Sequence, residues 1–528
     1  MSRSDYDGII LGAGHNALIL QAYLCRSGLK VLAVDRAALC GGGLMSIENP
    51  RIPGVLHNIH SFYHRAITAM PWYRDLGLEQ LGARYIEPER NVVMRLADGR
   101  SLEWWTDLDR TAASFEQFSK RDALALRRWA EDFRPIVDEI LVPEAQSPPK
   151  EPEERRRFLN SSANGRRLLE VQALSPLEFV CREFENDAIR AGLLFFNGLR
   201  EVDLRLRGFG HAIPALLASP HKAQMCAGGS ERLADALVRD IRNHSGEVLL
   251  NAEIKRIIVR SGQAEGLELA SGEVIRASGF IASGLNPQQT FLQYLNQSEV
   301  SPDVREKAVG FEYNLIAPLM AVHLTLREPP NYSLIEPDGG QLPFMVILGL
   351  EKLEQFHEMV AAHEQGNIPP AIMWGTCPTL FDSTQAPAGL HTAFMWQKTP
   401  YALHGNPNSW EAAKAELGKR MLDVWSAAAP NLVDAIVDEF ILTPVDTESI
   451  LPNMTRGDLL VGSFARGQIG YNRPFAGAGQ YRTPIKKLYL CGGSTHPGGN
   501  ITGLCGYNAA RVIAAELGLK IWWNPPQI

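Results

Sequence analysis

The sequence has few cysteines, and they are scattered. Seven cysteines among 528 residues form no CxxC pair and no spacing typical of metal ligands. This pattern argues against a disulfide scaffold and against a metal site, and it indicates a reduced, cytoplasmic protein.

Three further absences narrow the class of protein. No apolar stretch approaches the about 20 residues that a membrane-spanning helix needs. The 52 Lys and Arg against 59 Asp and Glu give no basic field, which argues against a nucleic-acid partner. Met1–Asp7 runs directly into a strand and leaves no room for a signal peptide. These properties do not exclude peripheral contact with a membrane.

A glycine turn between a strand and a helix is the first positive signal. The apolar strand Tyr6–Leu11 is followed by Gly12-Ala-Gly14-His-Asn-Ala17 and a helical run. Gly12 allows a tight turn, and Gly14 lets the backbone approach a pyrophosphate at the helix N-terminus. Asp35 ends the next strand, where a carboxylate accepts hydrogen bonds from ribose hydroxyls. The arrangement predicts a dinucleotide site, but the motif alone does not distinguish NAD from FAD.

Three observations favour FAD. A second flexible turn, Gly41-Gly-Gly43, follows Asp35 by six residues and could follow the cofactor inward. The chain has no second GxGxxG-type turn that would hold NAD(P)H. Near the C-terminus, Gly498-Gly499 precedes a helix from about Gly503, whose N-terminus suits the negative charge of a reduced flavin ring.

The remaining pattern predicts two kinds of region. Residues 105–215 are mostly helical in pattern, interrupted by a polar run, Gln146–Arg157, that is typical of a solvated loop. After Gly228-Gly229 and a helix come five short predicted strands, Glu247–Leu250, Ile254–Val259, Gly266–Leu269, Glu273–Ile275 and Gly279–Ala282. Residues 300–450 alternate strands with helices, which indicates a second sheet.

These motifs resemble the phytoene desaturase and carotenoid ketolase/isomerase-like family of FAD-dependent oxidoreductases. The matching stretches run the length of the chain, and they are Leu11–Asn16, Gly41-Gly42, Gly228-Gly229, Gly457-Asp458, Arg473-Pro474 and Leu488-Tyr-Leu-Cys-Gly-Gly-Ser-Thr-His-Pro-Gly-Gly499. The sequence departs from the family at Ala17, Asp35 and Asn500. The first two leave FAD binding intact, whereas Asn500 would lie beside the flavin ring.

The resemblance implies an α/β fold, α+β overall, with a Rossmann-type FAD-binding domain and a second sheet-plus-helix substrate domain. The FAD domain is expected over 1–100, 220–300 and 455–528, and the substrate domain over 101–219 and 301–454. The cofactor-binding residues expected from motif and family together are Gly12, Gly14, Asn16, Ala17, Asp35, Arg36, Gly41, Gly42, Gly43, Ile254, Ser283, Gly284, Gly493, Pro497, Gly498, Gly499 and Asn500.

A cluster of histidines follows the second glycine turn. Val55–Arg65 holds His57, His60, Tyr63 and His64. The cluster has no carboxylate or cysteine that would complete a metal site. A structural role for the histidines, in turns and core hydrogen bonds, is an alternative. The functional interpretation makes His57, His60 and Tyr63 candidates for moving a proton and His64 and Arg65 candidates for binding substrate.

The expected reaction is desaturation of a C–C bond in an apolar or cyclic small molecule, with a hydride passing to flavin N5. Ketolase, isomerase or saturase chemistry on the same flavin site is the first alternative, and an inactive flavoprotein scaffold is the second. The electron acceptor is expected to be oxygen or a quinone. A long apolar tunnel would indicate a polyene substrate, and a compact pocket with polar groups a smaller one.

Overall fold

The computed structural model describes residues 3–197, 202–332 and 342–526. Its strands are β1 (Arg3–Leu11), β2 (Val31–Val34), β3 (Ser46–Glu48), β4 (Leu56–Asn58), β5 (His64–Arg65), β6 (Tyr85–Ile86), β7 (Arg90–Arg95), β8 (Ser101–Trp105), β9 (Ala223–Cys226), β10 (Glu247–Leu249), β11 (Ile254–Arg260), β12 (Gln263–Leu269), β13 (Val274–Ser283), β14 (Leu319–Leu326), β15 (Met345–Leu348), β16 (Met373–Thr376), β17 (His391–Lys398), β18 (Ile436–Leu442) and β19 (Leu488–Leu490).

The α-helices are α1 (His15–Arg26), α2 (Pro71–Asp75), α3 (Leu108–Glu116), α4 (Lys120–Ile136), α5 (Val142–Ala145), α6 (Pro152–Asn160), α7 (Ala163–Gln172), α8 (Pro176–Glu183), α9 (Asp187–Gly192), α10 (Ala212–Ala218), α11 (Glu231–Asn243), α12 (Pro302–Val309), α13 (Glu354–Gln365), α14 (Trp410–Ala428), α15 (Leu432–Ala435), α16 (Pro444–Ile450) and α17 (Leu504–Glu516). Within the described ranges, no helix is long and apolar enough to cross a bilayer.

The first sheet joins the two ends of the chain. Its strand order is β10-β2-β1-β13-β12-β11, and β19 pairs with β13. The pairs β1–β2, β1–β13 and β13–β19 are parallel, so β1 near the N-terminus and β19 near the C-terminus flank the same strand. Ile10 faces the core under α1, α11 and α17, while Ile9 and Leu11 face the opposite core. The prediction that the chain ends meet is confirmed.

The predicted fold class, α/β with a Rossmann-type sheet, is likewise confirmed. The meander differs in one detail, because the last two predicted strands form the single strand β13. Gly279 lies inside it, where a Cβ atom would come within 2.7 Å of the Asp7 carbonyl oxygen on β1. Glycine here allows close approach of two backbones and does not mark a turn.

The second sheet has the strand order β18-β14-β17-β16-β15-β7-β8. Its inner strands are buried on both faces: on β7, Val93 packs with α14, while Val92 and Met94 pack toward the helices that follow β8. The region 105–215 is helical, as predicted. Residues 90–105 supply β7 and β8 to this sheet, and the expected domain limits stay a prediction.

The interpretation of the polar run as a loop is wrong in its second half, because α6 begins at Pro152. Proline is favourable at the first helical position, where its missing N–H has no partner to lose. Glu153 and Glu154 lie in the first turn and Arg157 in the last, an order that complements the helix dipole.

Candidate active site

The N-terminal glycine turn has the geometry of a phosphate-binding turn. Gly12 has φ +92°, a conformation that favours glycine. Gly14 is the N-cap of α1 with an ordinary φ of −71°, and a Cβ atom built on it would meet nothing within 4 Å. The space beside Gly14 is therefore open to a ligand at the N-terminus of α1.

Asp35 ties this turn to the next strand. Its carboxylate accepts from the backbone N–H of Ala13 at 2.7 Å and from that of Ala37 at 2.8 Å. Each oxygen keeps a further lone pair for a hydroxyl group. The acid thus holds the turn in place and still faces the cavity described below.

The second glycine turn lies directly on the first. The Gly41 N–H donates to the Ala13 carbonyl at 2.7 Å, and a Cβ atom on Gly42 would come within 3.3 Å of the Gly14 Cα. A Cβ atom on Gly41 would come within 2.8 Å of the Ala234 Cβ. A larger residue at position 42 would push the two turns apart, and one at position 41 would collide with α11.

The C-terminal loop closes the same cavity. A Cβ atom on Gly499 would lie 2.0 Å from the Leu460 carbonyl oxygen, so the loop packs tightly on its neighbour. Buried Arg473 braces it by donating to five backbone carbonyls, including those of Gly493 and Thr495. Asn500 has φ +93°. Asparagine tolerates this region better than most residues other than glycine.

These turns line one cavity of about 240 Å³. The lining includes most of the residues predicted to hold the cofactor: Gly12, Gly14, Asn16, Ala17, Asp35, Arg36, Gly42, Gly43, Ile254, Gly284, Gly493, Gly499 and Asn500. Its carboxylate, open glycine turn and helix N-terminus fit the ribose and pyrophosphate of FAD.

Four of the predicted cofactor residues lie outside that lining, namely Gly41, Ser283, Pro497 and Gly498. Ser283 is buried and its hydroxyl bonds to Thr290 at 2.7 Å. The helix α17 begins at Leu504, beyond the lining residues 499–501, so the loop before the helix forms this wall. Sequence reasoning missed Asn453 and Met454, which also line the cavity and precede the noted Gly457-Asp458 pair.

A second cavity of about 310 Å³ adjoins the first. The two share Gly43, Met454, Leu459, Asn500 and Ile501. The remaining walls are mainly apolar and come from distant parts of the chain, including Phe62, Met70, Phe196, Leu216, Leu319 and Trp396. Its polar side chains include His60, Ser61, Tyr63 and Arg65, three of which the sequence predicted to face substrate.

The histidines divide into two kinds. His64 bonds to the Tyr85 hydroxyl at 2.9 Å and to Ser61 Oγ at 3.3 Å, and it lies outside both cavity linings. His57 lies outside both cavity linings, with its ring 4.9 Å from Phe440 and 5.7 Å from His323.

His60 differs from them because it lines the second cavity and its two ring nitrogens bond to no residue of the described chain. Burial lowers its pKa to about 4, so the ring is neutral near pH 7. A buried polar group without a partner points to a ligand or an ordered water.

Tyr63 and Arg65 form the polar wall beside His60. The Tyr63 hydroxyl donates to Asn91 Oδ1 at 3.0 Å. The Arg65 guanidinium lies over the rings of Tyr63 and Phe196, 5.6 and 5.4 Å from their centroids.

The fold and the first cavity define a protein of the Rossmann class with a dinucleotide-binding geometry. The chain is 31% identical to a limonene dehydrogenase subunit from Castellaniella defragrans, over 98% of this chain and 96% of that protein. It is 22% identical to all-trans-zeta-carotene desaturase of Myxococcus xanthus, over 93% of this chain and 90% of that protein.

Cyclohexylamine oxidase from Brevibacterium oxydans shares the fold, with a TM-score of 0.61 at 16% identity over 97% of this chain and 100% of that one. No family model matches the chain. The chain belongs to the phytoene desaturase-like family of FAD-dependent oxidoreductases. It is an enzyme, and its cofactor is FAD.

Proposed function

We propose that this enzyme desaturates a C–C bond of an apolar or cyclic small molecule by hydride transfer to N5 of FAD. The observation that carries the proposal is the junction of the two cavities at Gly43, Asn500 and Ile501. A compound in the apolar cavity would lie against the end of the cofactor cavity formed by the C-terminal loop. Ketolase, isomerase or saturase chemistry would use the same junction.

The residues of the first cavity would hold FAD, which supplies a two-electron acceptor when bound. Gly14 and the N-terminus of α1 would face the pyrophosphate, and Asp35 the ribose. The loop Gly493–Asn500, braced by Arg473, would form the wall at the flavin ring. Arg473 holds that loop through backbone carbonyls and does not itself line either cavity.

The size of the second cavity favours a compact substrate. At about 310 Å³ it lies at the lower end of the range for small-molecule sites, roughly 300–1,000 Å³. Its apolar walls suit a hydrocarbon ring or a short branched chain better than a long polyene. The similarity to a limonene dehydrogenase supports a substrate of this size.

The electron acceptor is proposed to be oxygen or a quinone, and the location the cytoplasm. Peripheral membrane contact through the C-terminal tail is less favoured, because Trp522 stacks on Tyr23 at 5.1 Å and Trp523 is buried. The tail instead covers α1.

His60 is proposed to take the proton that accompanies the hydride. It lines the cavity, is neutral, and its ring nitrogens have no partner among the described residues. Tyr63 is a weaker candidate because its hydroxyl is engaged by Asn91.

Replacing His60 with phenylalanine should therefore leave FAD bound and slow reduction of the flavin by about 10²–10⁴-fold. The measurement is the anaerobic rate of loss of the visible flavin band after mixing with substrate. His57→Phe is the matched control, since His57 already packs against Phe440 outside both cavities. Reduction of His60→Phe at the parental rate would show that the proton leaves by another route.

The reaction class is tested by incubating the holoenzyme with limonene, other cyclic hydrocarbons and cyclohexanecarboxylate in the presence of a quinone. Desaturation gives a product with two hydrogens fewer by mass spectrometry. A product with added oxygen, or one with unchanged mass and a moved double bond, would favour the ketolase or isomerase alternative.

A further inference from the structure

The polar end of the second cavity carries a cation with no acidic partner among the described residues. Arg65 lies in β5, where its backbone pairs with Ala223 of β9, so its position is fixed by the fold. Its guanidinium stacks on Tyr63 and Phe196 and lines the cavity. It makes no ion pair or hydrogen bond through its side chain within residues 3–197, 202–332 and 342–526. Its guanidinium is a positive group in the cavity lining that a bound anion can compensate.

A second cation reinforces the positive field. The Lys222 ammonium donates to the Ser219 carbonyl at 2.8 Å, and Ser219 lines the same cavity. Burial, together with the positive charges of Arg65 and Arg134, lowers the pKa of Lys222 to about 8. Glu87 is the acidic group that opposes this effect. The Lys222 side chain lines a smaller neighbouring cavity and not the second cavity itself, so it adds only to the positive field around Arg65.

The rest of the cavity sets the shape of the ligand. Apart from the polar wall near His60 and the polar residues Ser219, Asn500 and Thr502, its lining is hydrocarbon and aromatic, as in Leu216, Leu319 and Trp396. An anionic ligand must therefore be apolar over most of its length and charged at one end. The planar guanidinium presents paired donors that match the two oxygens of a carboxylate.

We propose that the substrate of this enzyme is a small apolar carboxylate, anchored by Arg65. This inference rests on the proposed function. It specifies that the apolar substrate carries a carboxylate group. With the carboxylate at Arg65, the apolar body fills the cavity toward Asn500 and Ile501, where the two cavities join. An uncharged analogue leaves the positive charge of the guanidinium uncompensated, which is the basis of discrimination.

The test compares cyclohexanecarboxylate with cyclohexanecarboxamide as ligands of the FAD-loaded enzyme. Binding is followed by the change in the visible flavin spectrum and by the shift in thermal unfolding. We expect the carboxylate to bind about 10- to 100-fold more tightly than the amide, which corresponds to a hydrogen-bonded charged group. Arg65→Gln should remove this preference.

Arg74→Gln is the matched control, because Arg74 is exposed in α2 of the same segment and lines neither cavity. It should keep the full preference for the carboxylate. If Arg65→Gln fails to fold, the relative affinity of the parental enzyme for the carboxylate and the amide still tests whether the cavity prefers an anion.

Equal affinity of the parental enzyme for the two probes would overturn the inference, as would tighter binding of cyclohexyl phosphate. If dithionite reduces the flavin normally in the same sample, equal affinity for the two probes counts against the carboxylate anchor at Arg65 and not against the proposed function. Absence of a reducible flavin would instead count against the proposed function.

Discussion

Gly14→Val should fold as the parental chain does and should lose FAD. A Cβ atom on Gly14 meets no atom within 4 Å, and φ of −71° is ordinary for any residue. The valine side chain therefore projects into the open space that the pyrophosphate needs. We expect the stability of the apoprotein to change by about 1 kcal/mol or less, while bound flavin falls to background. Flavin absorbance after purification, beside apoprotein unfolding curves, measures both effects.

Gly12→Ala provides the contrasting variant. Gly12 has φ +92°, so a side chain there strains the backbone at a cost of roughly 1–3 kcal/mol. This variant should lose stability even without cofactor. If Gly14→Val retained parental flavin content, the pyrophosphate would lie elsewhere and the assignment of the first cavity would be wrong.

The second large effect is acid destabilisation. The described part of the chain buries five histidines whose rings are shielded from water, namely His57, His60, His64, His323 and His363. Burial lowers the pKa of each, to about 4 for His57, His60 and His363, to about 3 for His64, and well below its usual value for His323. Histidine in the unfolded chain titrates near a pKa of about 6.5.

The sign of the effect follows from proton uptake. From about pH 6.5 down to about pH 4, the unfolded chain binds protons that the folded chain excludes, so the free energy of unfolding falls with pH. Each such proton lowers the free energy of unfolding by about 1.4 kcal/mol per pH unit, so five histidines together lower it by several kcal/mol per pH unit. Above about pH 6.5 this contribution is fully present and constant.

Urea unfolding at about pH 7.5 and about pH 5.5 measures the loss. His323→Phe is an informative variant, since the His323 ring stacks on that of Phe440 at 4.8 Å and lies 5.7 Å from that of Phe394. It should reduce the pH slope by about one proton, or about 1.4 kcal/mol per pH unit. A transition midpoint independent of pH over this window would contradict the burial of neutral histidines.

The cofactor cavity was largely predictable because its chemistry is local. A glycine turn, a helix start and an acid at fixed spacing are readable in one stretch, and the structure brings Gly14 and Asp35 to one cavity. The C-terminal loop of the same site was predictable from its own glycine pair, Gly498-Gly499.

The second cavity was not predictable from pattern alone. Its walls join Phe196, Trp396 and Leu460 across three distant parts of the chain, and each of these residues taken singly is a typical core residue. The different environments of the histidines could not be predicted either. Nothing in the sequence distinguishes His60, which lines the cavity, from His64, which bonds to Tyr85.

In the proposed reaction, substrate reaches the flavin through the second cavity. The direct measurement is anaerobic reduction of bound flavin by a cyclic substrate in the parental enzyme and in Leu216→Trp, whose indole would fill that cavity. Leu124→Trp, at a position 69% exposed on α4, is the control. We predict that the parental enzyme and the control lose the visible flavin band, while Leu216→Trp keeps its FAD and is reduced at least about tenfold more slowly. Parental reduction rates in Leu216→Trp would contradict the account.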